Sequence, residues 1–140
     1  MSTFSLTHRV QFSEADPAGI SFFANVYRWH HQAYEAWVSD ELGIDYKKWF
    51  LSKDIAVPVR KSEAEFFGPF PPGRSVRIDL KITKLGTSSF TLESQQLNDK
   101  GTLCATVSSV HVFMDAKTGQ KLEIPAEYRE TLQSRLSAGP

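Results

Sequence analysis

The stretch Asn25-Val26-Tyr27-Arg28-Trp29-His30-His31-Gln32-Ala33-Tyr34-Glu35-Ala36-Trp37-Val38-Ser39-Asp40-Glu41-Leu42, followed by Gly43, reads as one long helix. Asn25 can cap its first turn and Gly43 supplies its stop signal. Val26, Trp29, Ala33, Ala36 and Trp37 recur at helical spacing, and Tyr34, Val38 and Leu42 widen the apolar face. A stripe this broad belongs to a helix wrapped by other elements, not to one resting on a surface. The rest of the chain must supply the wrapping.

Before the helix, residues 4–12 alternate. Phe4, Leu6, His8, Val10 and Phe12 share one face, and Ser5, Thr7, Arg9 and Gln11 the other. Period two predicts a half-buried strand. Ser13-Glu14-Ala15-Asp16-Pro17-Ala18-Gly19 is turn-rich, broken by Pro17 and Gly19. After the helix, residues 55–67 predict a strand in which Pro58 marks a bend or an edge. Gly68-Pro69-Phe70-Pro71-Pro72-Gly73 then reads as a tight connection feeding a strand that starts near Arg74, not as a ligand loop. Val76, Ile78, Leu80 and Ile82 alternate with Arg77, Asp79, Lys81 and Thr83 in the clearest strand. Residues 89–97 and 103–114 add two more, joined by the hairpin signal Asn98-Asp99-Lys100-Gly101. Pro125 opens a short terminal helix through Tyr128, Leu132 and Leu136. Short connections imply antiparallel pairing. The expected class is α+β: a curved antiparallel sheet of about five strands wrapped around one long central helix.

Length and composition fit one domain over residues 1–140. A hydrophobic fraction of 41% excludes a disordered chain. Sixteen basic and sixteen acidic side chains cancel, which argues against nucleic acid as the main partner and gives little electrostatic solubility, so an oligomer is expected. No apolar run approaches the ~20 residues of a membrane span. Residues 1–6 lack the pattern of a secretory signal. The single cysteine, Cys104, can form no internal disulfide; it reads as a buried, inert thiol and suits a reducing cytoplasm. The tail Ser137-Ala138-Gly139-Pro140 reads as loose.

Chemistry is best sought at Asp16, just ahead of the helix. A helix start offers free N–H groups and a partial positive charge, which suit an anion or an oxyanion forming at a carbonyl. A carboxylate beside them could attack that carbonyl or activate water. Pro17 stiffens the loop, and Gly19 lets the backbone approach a ligand. On pattern alone, Asp16-Pro17 reads first as the opening of a turn. His30 and His31 are adjacent and diverge, so they cannot chelate as an i, i+4 pair would. His30 shares the face of Val26 and could reach a pocket; a core or surface histidine is the plainer reading, as for His111.

Val10-Gln11-Phe12-Ser13-Glu14-Ala15-Asp16-Pro17-Ala18-Gly19-Ile20-Ser21-Phe22-Phe23-Ala24-Asn25-Val26-Tyr27-Arg28-Trp29 resembles the signature of the 4-hydroxybenzoyl-CoA thioesterase family. That signature is a strand, Asp-x-Asp-Pro-Ala-Gly or a close variant, aromatic residues, then the helix of a hotdog fold. The element order of the whole chain matches it too. The resemblance implies hydrolysis of an acyl-CoA thioester without metal or organic cofactor, coenzyme A being part of the substrate. Asp16 matches the catalytic nucleophile or general base, Gly19 the motif glycine, and Phe23 the position whose backbone N–H faces the thioester oxygen. Glu14 replaces the first aspartate of the motif. The tol-pal-associated branch carries histidine where Phe23 stands and fits less well.

His31-Gln32-Ala33-Tyr34-Glu35-Ala36-Trp37 and Ala56-Val57-Pro58-Val59 resemble the 1,4-dihydroxy-2-naphthoyl-CoA thioesterases of cyanobacteria and plants. An aromatic acyl group is therefore expected, with Phe22, Phe23, Tyr27, Trp29 and Tyr34 near the pocket and Phe22, Tyr27, His30 and Pro58 binding substrate. One branch of the family holds the CoA phosphates with a basic cluster where this chain has Lys84-Leu85-Gly86-Thr87-Ser88-Ser89-Phe90. Only Lys84 is basic here, so Thr87, Ser88 and Ser89, backbone N–H groups or another subunit must serve. In hotdog dehydratases a histidine precedes a similar Pro-Gly turn; Glu65-Phe66-Phe67 stands there instead, which disfavours dehydration. Hotdog relatives also imply a homodimer or a dimer of dimers (a homotetramer). The alternatives are a short- or medium-chain fatty acyl-CoA thioesterase and a non-catalytic acyl-CoA or acyl-carrier-protein binding module.

Overall fold

The computed structural model describes residues 3–136; the tail read as loose, 137–140, lies outside them. Strands β1 (Phe4–Arg9), β3 (Val59–Phe66), β4 (Ser75–Leu85), β5 (Ser89–Leu97) and β6 (Leu103–Val112) form one sheet in the order β1-β4-β5-β6-β3. Every pairing is antiparallel. Helix α1 (Asn25–Ala36) lies on the concave face, and its stripe Val26, Trp29, Ala33 and Tyr34 is buried. The facing side chains are Val76, Ile78, Leu80 and Ile82 of β4, Phe90 and Leu92 of β5, and Ala105 and Val107 of β6, all at most 1% exposed. The period-two pattern of β4 and the broad stripe of α1 are thus one core seen from two sides, as expected of the hotdog architecture.

Several expectations need correction. Asn25 is not the cap: Ala24 holds that position without a side-chain bond. The Asn25 amide instead donates to the Glu14 carbonyl (2.8 Å) and Ser21 Oγ (3.1 Å). The helix does reach Glu41, but its last turn, Trp37–Glu41, is widened, with Leu42 N–H donating to Trp37 O at 2.9 Å. The extra residue in this turn lets the consecutive Trp37 and Val38 both face the core. Phe12 leaves the strand face, because Phe12–Glu14 forms a single 3-10 turn, and it is 88% exposed. The strand expected over 55–67 breaks at Pro58 into β2 (Ile55–Ala56) and β3. That expected over 103–114 likewise splits into β6 and β7 (Met114–Asp115), and β2 pairs with β7 in a small second sheet. A short helix α2 (Tyr46–Phe50), capped by Asp45, was not foreseen. The terminal helix α3 (Ala126–Arg135) starts after Pro125 as read.

The largest correction concerns residues 67–74. They are not a tight turn. They carry the chain from β3, at one edge, to β4, three strands away, a lateral step of roughly 14 Å. Phe70 anchors this crossing: it is 4% exposed and packs edge-on against Trp29 at 5.2 Å. The crossing thereby passes beside the start of α1. Among the described residues, no helix is long and apolar enough to cross a membrane.

Candidate active site

The loop between β1 and α1 is held at three points. Ser21 N–H donates to Phe70 O (2.9 Å), Phe22 N–H to Glu14 O (2.8 Å), and Asp16 N–H to Ile20 O (2.9 Å). The last closes a small hairpin whose bend is Gly19, with a φ of 80° that only glycine adopts cheaply. A Cβ there would meet no atom within 4 Å, so backbone conformation and not space demands the glycine. Asp16 is half-buried. Its Oδ1 accepts from Ala18 N–H at 2.9 Å, which leaves Oδ2 without a donor among the described residues.

Beside this hairpin the chain turns into α1. Asn25 N–H donates to Phe22 O, and Tyr27 N–H to Ala24 O. The N–H groups of Phe23 and Ala24 have no acceptor among the described residues. An open cleft of about 410 Å³ lies at this point, with Ile20, Phe22, Phe23 and Val26 on one wall and Phe66, Pro69 and Phe70 on the other. Phe22 and Phe23 are 46% and 60% exposed, and Phe23 stands edge-on to Phe66 at 6.2 Å. The Gly-Pro-Phe-Pro-Pro-Gly segment, read as a mere connection, thus forms part of the wall.

Glu14 is buried beneath the same loop. Its Oε1 accepts from Gln11 N–H (2.7 Å) and bonds His8 Nε2 (2.9 Å), and its Oε2 accepts from Trp29 Nε1 (2.8 Å). Burial pushes its pKa up, but the Gln11 N–H, His8 and Trp29 together outweigh burial and hold it below the ordinary value.

The remaining expected site residues are scattered. Tyr27 stands half-exposed on the first turn of α1. Pro58 lines a separate cleft of about 280 Å³ with Trp49, Phe50 and Ile55. Thr87, Ser88 and Ser89 line a third, about 360 Å³, together with Arg60 and Lys121. Arg60 sits where the β3–β6 register slips between Val59 and Lys61, and such bulges re-aim a side chain. The carbonyls of this turn are all engaged: Gly86 O and Thr87 O accept from Arg129, Thr87 O also from Ile124 N–H, and Ser88 O from Phe113 N–H. Neither Arg60 nor Lys121 forms an ion pair among the described residues. Nothing in the local sequence marks these two residues, because a bulge and a hairpin bring them there.

His30 is corrected outright. It is 4% exposed, and its ring nitrogens bond Ser94 Oγ (2.6 Å) and Ser109 Oγ (2.7 Å) inside the core. Ser109 continues to His111 Nε2 at 2.7 Å. Burial, with the neighbouring His31, lowers the His30 pKa to about 4, and burial with His30 and His31 lowers that of His111 to about 3. Both rings are core polar groups, not pocket groups. Trp29 and Tyr34 also lie in the core, 0% and 2% exposed, where Tyr34 Oη accepts from Trp49 Nε1 at 2.6 Å.

The unpartnered N–H groups of Phe23 and Ala24 lie at the start of α1, where Phe22, Phe23 and Val26 line an apolar cleft, and the hairpin that carries Asp16 is bonded to Ile20 of the same cleft. Residues 10–132 match the model of the thioesterase-like superfamily, and the chain belongs to that superfamily as a thioester hydrolase of the hotdog fold. It is 31% identical over 127 residues to the 1,4-dihydroxy-2-naphthoyl-CoA hydrolase of Crocosphaera subtropica, covering 89% of this chain and 92% of that one. Among solved structures, the 1,4-dihydroxy-2-naphthoyl-CoA thioesterase from Synechocystis superposes with a TM-score of 0.87 at 22% identity, covering 94% and 96% of the two chains. A gentisyl-coenzyme A thioesterase superposes with a TM-score of 0.81 at 26% identity, covering 91% and 98%.

Proposed function

We propose that the chain hydrolyses an aromatic acyl-CoA thioester to the free acid and coenzyme A, with Asp16 as the reacting carboxylate. The observation that carries this reading is the free Oδ2 of Asp16, whose backbone N–H bonds Ile20 of the aromatic cleft, together with the unpartnered N–H of Phe23 in the same cleft. The thioester carbonyl oxygen lies against the Phe23 N–H and the start of α1, which stabilise the oxyanion. Asp16 either deprotonates an attacking water or attacks the carbonyl itself. In the second route CoA leaves as thiolate and water opens the resulting anhydride. Gly19 keeps the carboxylate close to the acyl group. Relatives bearing the name 1,4-dihydroxy-2-naphthoyl-CoA hydrolase, and the gentisyl-coenzyme A enzyme, support an aromatic acyl group.

Aryl rings stack on Phe22 and Phe23, each pair contributing ~0.5–1.5 kcal/mol beyond area burial. A panel of acyl-CoA substrates followed by thiol release should therefore give benzoyl-type substrates a higher kcat/KM than straight-chain acyl-CoA of similar size. A preference for decanoyl- or palmitoyl-CoA over every aryl substrate would assign the cleft to fatty acids, and binding without turnover would make the chain a binding module.

The scattered clefts support a two-fold dimer. The Phe66 cleft and the Arg60 cleft sit at opposite ends of β3, roughly 20 Å apart. β3 is an edge strand exposed along nearly its whole length, with Val59 and Phe66 among its exposed apolar residues, and such an edge needs cover. Antiparallel pairing of two β3 edges about a two-fold sets the start of one strand beside the end of the other. Pro58, Arg60, Lys121 and the Thr87, Ser88 and Ser89 hydroxyls of the second copy then complete the site, with the cations taking the CoA phosphates that the local sequence leaves without a basic cluster. Sedimentation should find a dimer or a dimer of dimers at micromolar concentration; a fully active monomer would overturn this arrangement.

A further inference from the structure

Glu14 is the one buried carboxylate among the described residues, and the reaction as proposed does not use it. Its two ends hold different things. The carboxylate gathers β1 through His8, the 3-10 turn through Gln11 N–H, and α1 through Trp29. The carbonyl holds the far side of the loop, accepting from Phe22 N–H and from the Asn25 amide. Between these anchors hangs the hairpin that carries Asp16, zipped by the Ala15–Ser21 bridge and the Asp16 N–H to Ile20 O bond. Phe22 N–H is bound to Glu14, so the peptide that follows, with the free Phe23 N–H, is oriented by the same residue.

We propose that Glu14 is a positioning residue for the hydrolysis: it fixes Asp16 and the Phe23 N–H relative to one another, while touching no substrate. The proposal rests on the reading of Asp16 and Phe23 given above. Glu14 is suited to this because its carboxylate is acceptor-only, and all three groups that meet it can donate. Glutamine in its place has the same shape but cannot satisfy them. With its oxygen toward Gln11 and His8, its NH2 meets the Trp29 N–H; flipped, its NH2 meets the Gln11 N–H. One anchor must open whichever way the amide sits. A reacting group displaced by about 1 Å loses on the order of 100-fold in rate.

The test measures benzoyl-CoA hydrolysis by the full chain as parent, Glu14→Gln, Asp16→Asn and Leu132→Ala. Leu132 is a fully buried side chain of α3, and its truncation supplies a destabilised control outside the site. At a temperature where all are folded by circular dichroism, Glu14→Gln should lower kcat about 10- to 100-fold with KM within about threefold. Leu132→Ala should lower the melting temperature at least as much and keep kcat. If kcat follows melting temperature across the variants, or Glu14→Gln turns over like the parent while Asp16→Asn is inactive, Glu14 is structural only and the proposal fails. If Asp16→Asn retains parental activity, the underlying reading of the site fails instead. Should Glu14→Gln not fold, His8→Phe carries the same test: it removes one donor to the Glu14 carboxylate and keeps a ring against Trp29, so the split between kcat and KM is expected in the same direction.

Discussion

Asp16→Asn should fold as the parent does and lose about 100-fold to 10,000-fold in kcat, the range for removing a general base, or more if the carboxylate is the nucleophile. The structure makes this a clean substitution. Asp16 is half-buried, and its one side-chain bond is the acceptance of Ala18 N–H by Oδ1, which an asparagine oxygen can still make. Stability should therefore change by no more than about 0.5 kcal/mol, as for other substitutions away from the core. The free Oδ2 becomes an NH2 group, which can neither take a proton from water nor attack a carbonyl. KM should move little, because the proposed reaction places Asp16 at the reacting centre and not at the CoA handle. Asparagine can deamidate back to aspartate, so Asp16→Ala belongs beside it; that variant also loses the Ala18 contact and should melt slightly lower. If both are folded and retain activity within about tenfold of the parent, Asp16 is a turn residue.

The second large effect concerns acid. His30 and His111 are neutral in the folded chain, with pKa values lowered to about 4 and about 3 by burial. In the unfolded chain each takes a proton near pH 6.5. Unfolded protein thus binds more protons as pH falls below 6.5, and stability drops until the folded pKa values are reached. By pH 5 the loss is about 2 kcal/mol per histidine, before most carboxylates have begun to titrate. Urea midpoints taken from pH 7 to pH 5 should fall steadily. His111→Phe, whose ring can keep the parallel stack on Phe90 at 4.8 Å, should reduce that slope by about half. A midpoint unchanged over this range would mean that the Ser94-His30-Ser109-His111 chain opens to water.

What could be read in the sequence was what is local. The stripe of α1, the alternation of β4 and the bounds of β5 all follow from periodicity, and the structure keeps them. The loop with Asp16, Gly19, Phe22 and Phe23 was legible through the family resemblance, because it is contiguous and needs no distant partner to be recognised; its role in the reaction is the proposal above. Periodicity assigns a residue to a face without saying what packs on that face. His30, Trp29 and Tyr34 were accordingly placed near a pocket, when Ser94 and Ser109 hold His30, Glu14 and the Phe70 ring hold Trp29, and Trp49, Phe50 and Phe90 surround Tyr34. The crossing at residues 67–74 was hidden because a short link ordinarily joins neighbouring strands. Glu14 could be seen only as a departure from a motif; that His8, Gln11 and Trp29 converge on it is a fact of three dimensions. Arg60 and Lys121 had no local signal at all.

The strand order also bears on how the molecule comes into being. β1 pairs with β4, so Ser5 meets Asp79 and Leu6 meets Ile78. During synthesis the loop bearing Asp16 leaves the ribosome well before the strand against which β1 must lie. Helix α1 can form early, since its bonds are local, but it has no sheet to cover its apolar stripe until β4, β5 and β6 have followed. Contacts of such sequence separation form slowly, because the intervening chain must be closed into a loop before they repay its lost freedom. The loop that precedes α1 is therefore synthesised before the strands that fix it, and a truncated product ending before β4 would carry Asp16 on a segment whose β1 has no partner strand.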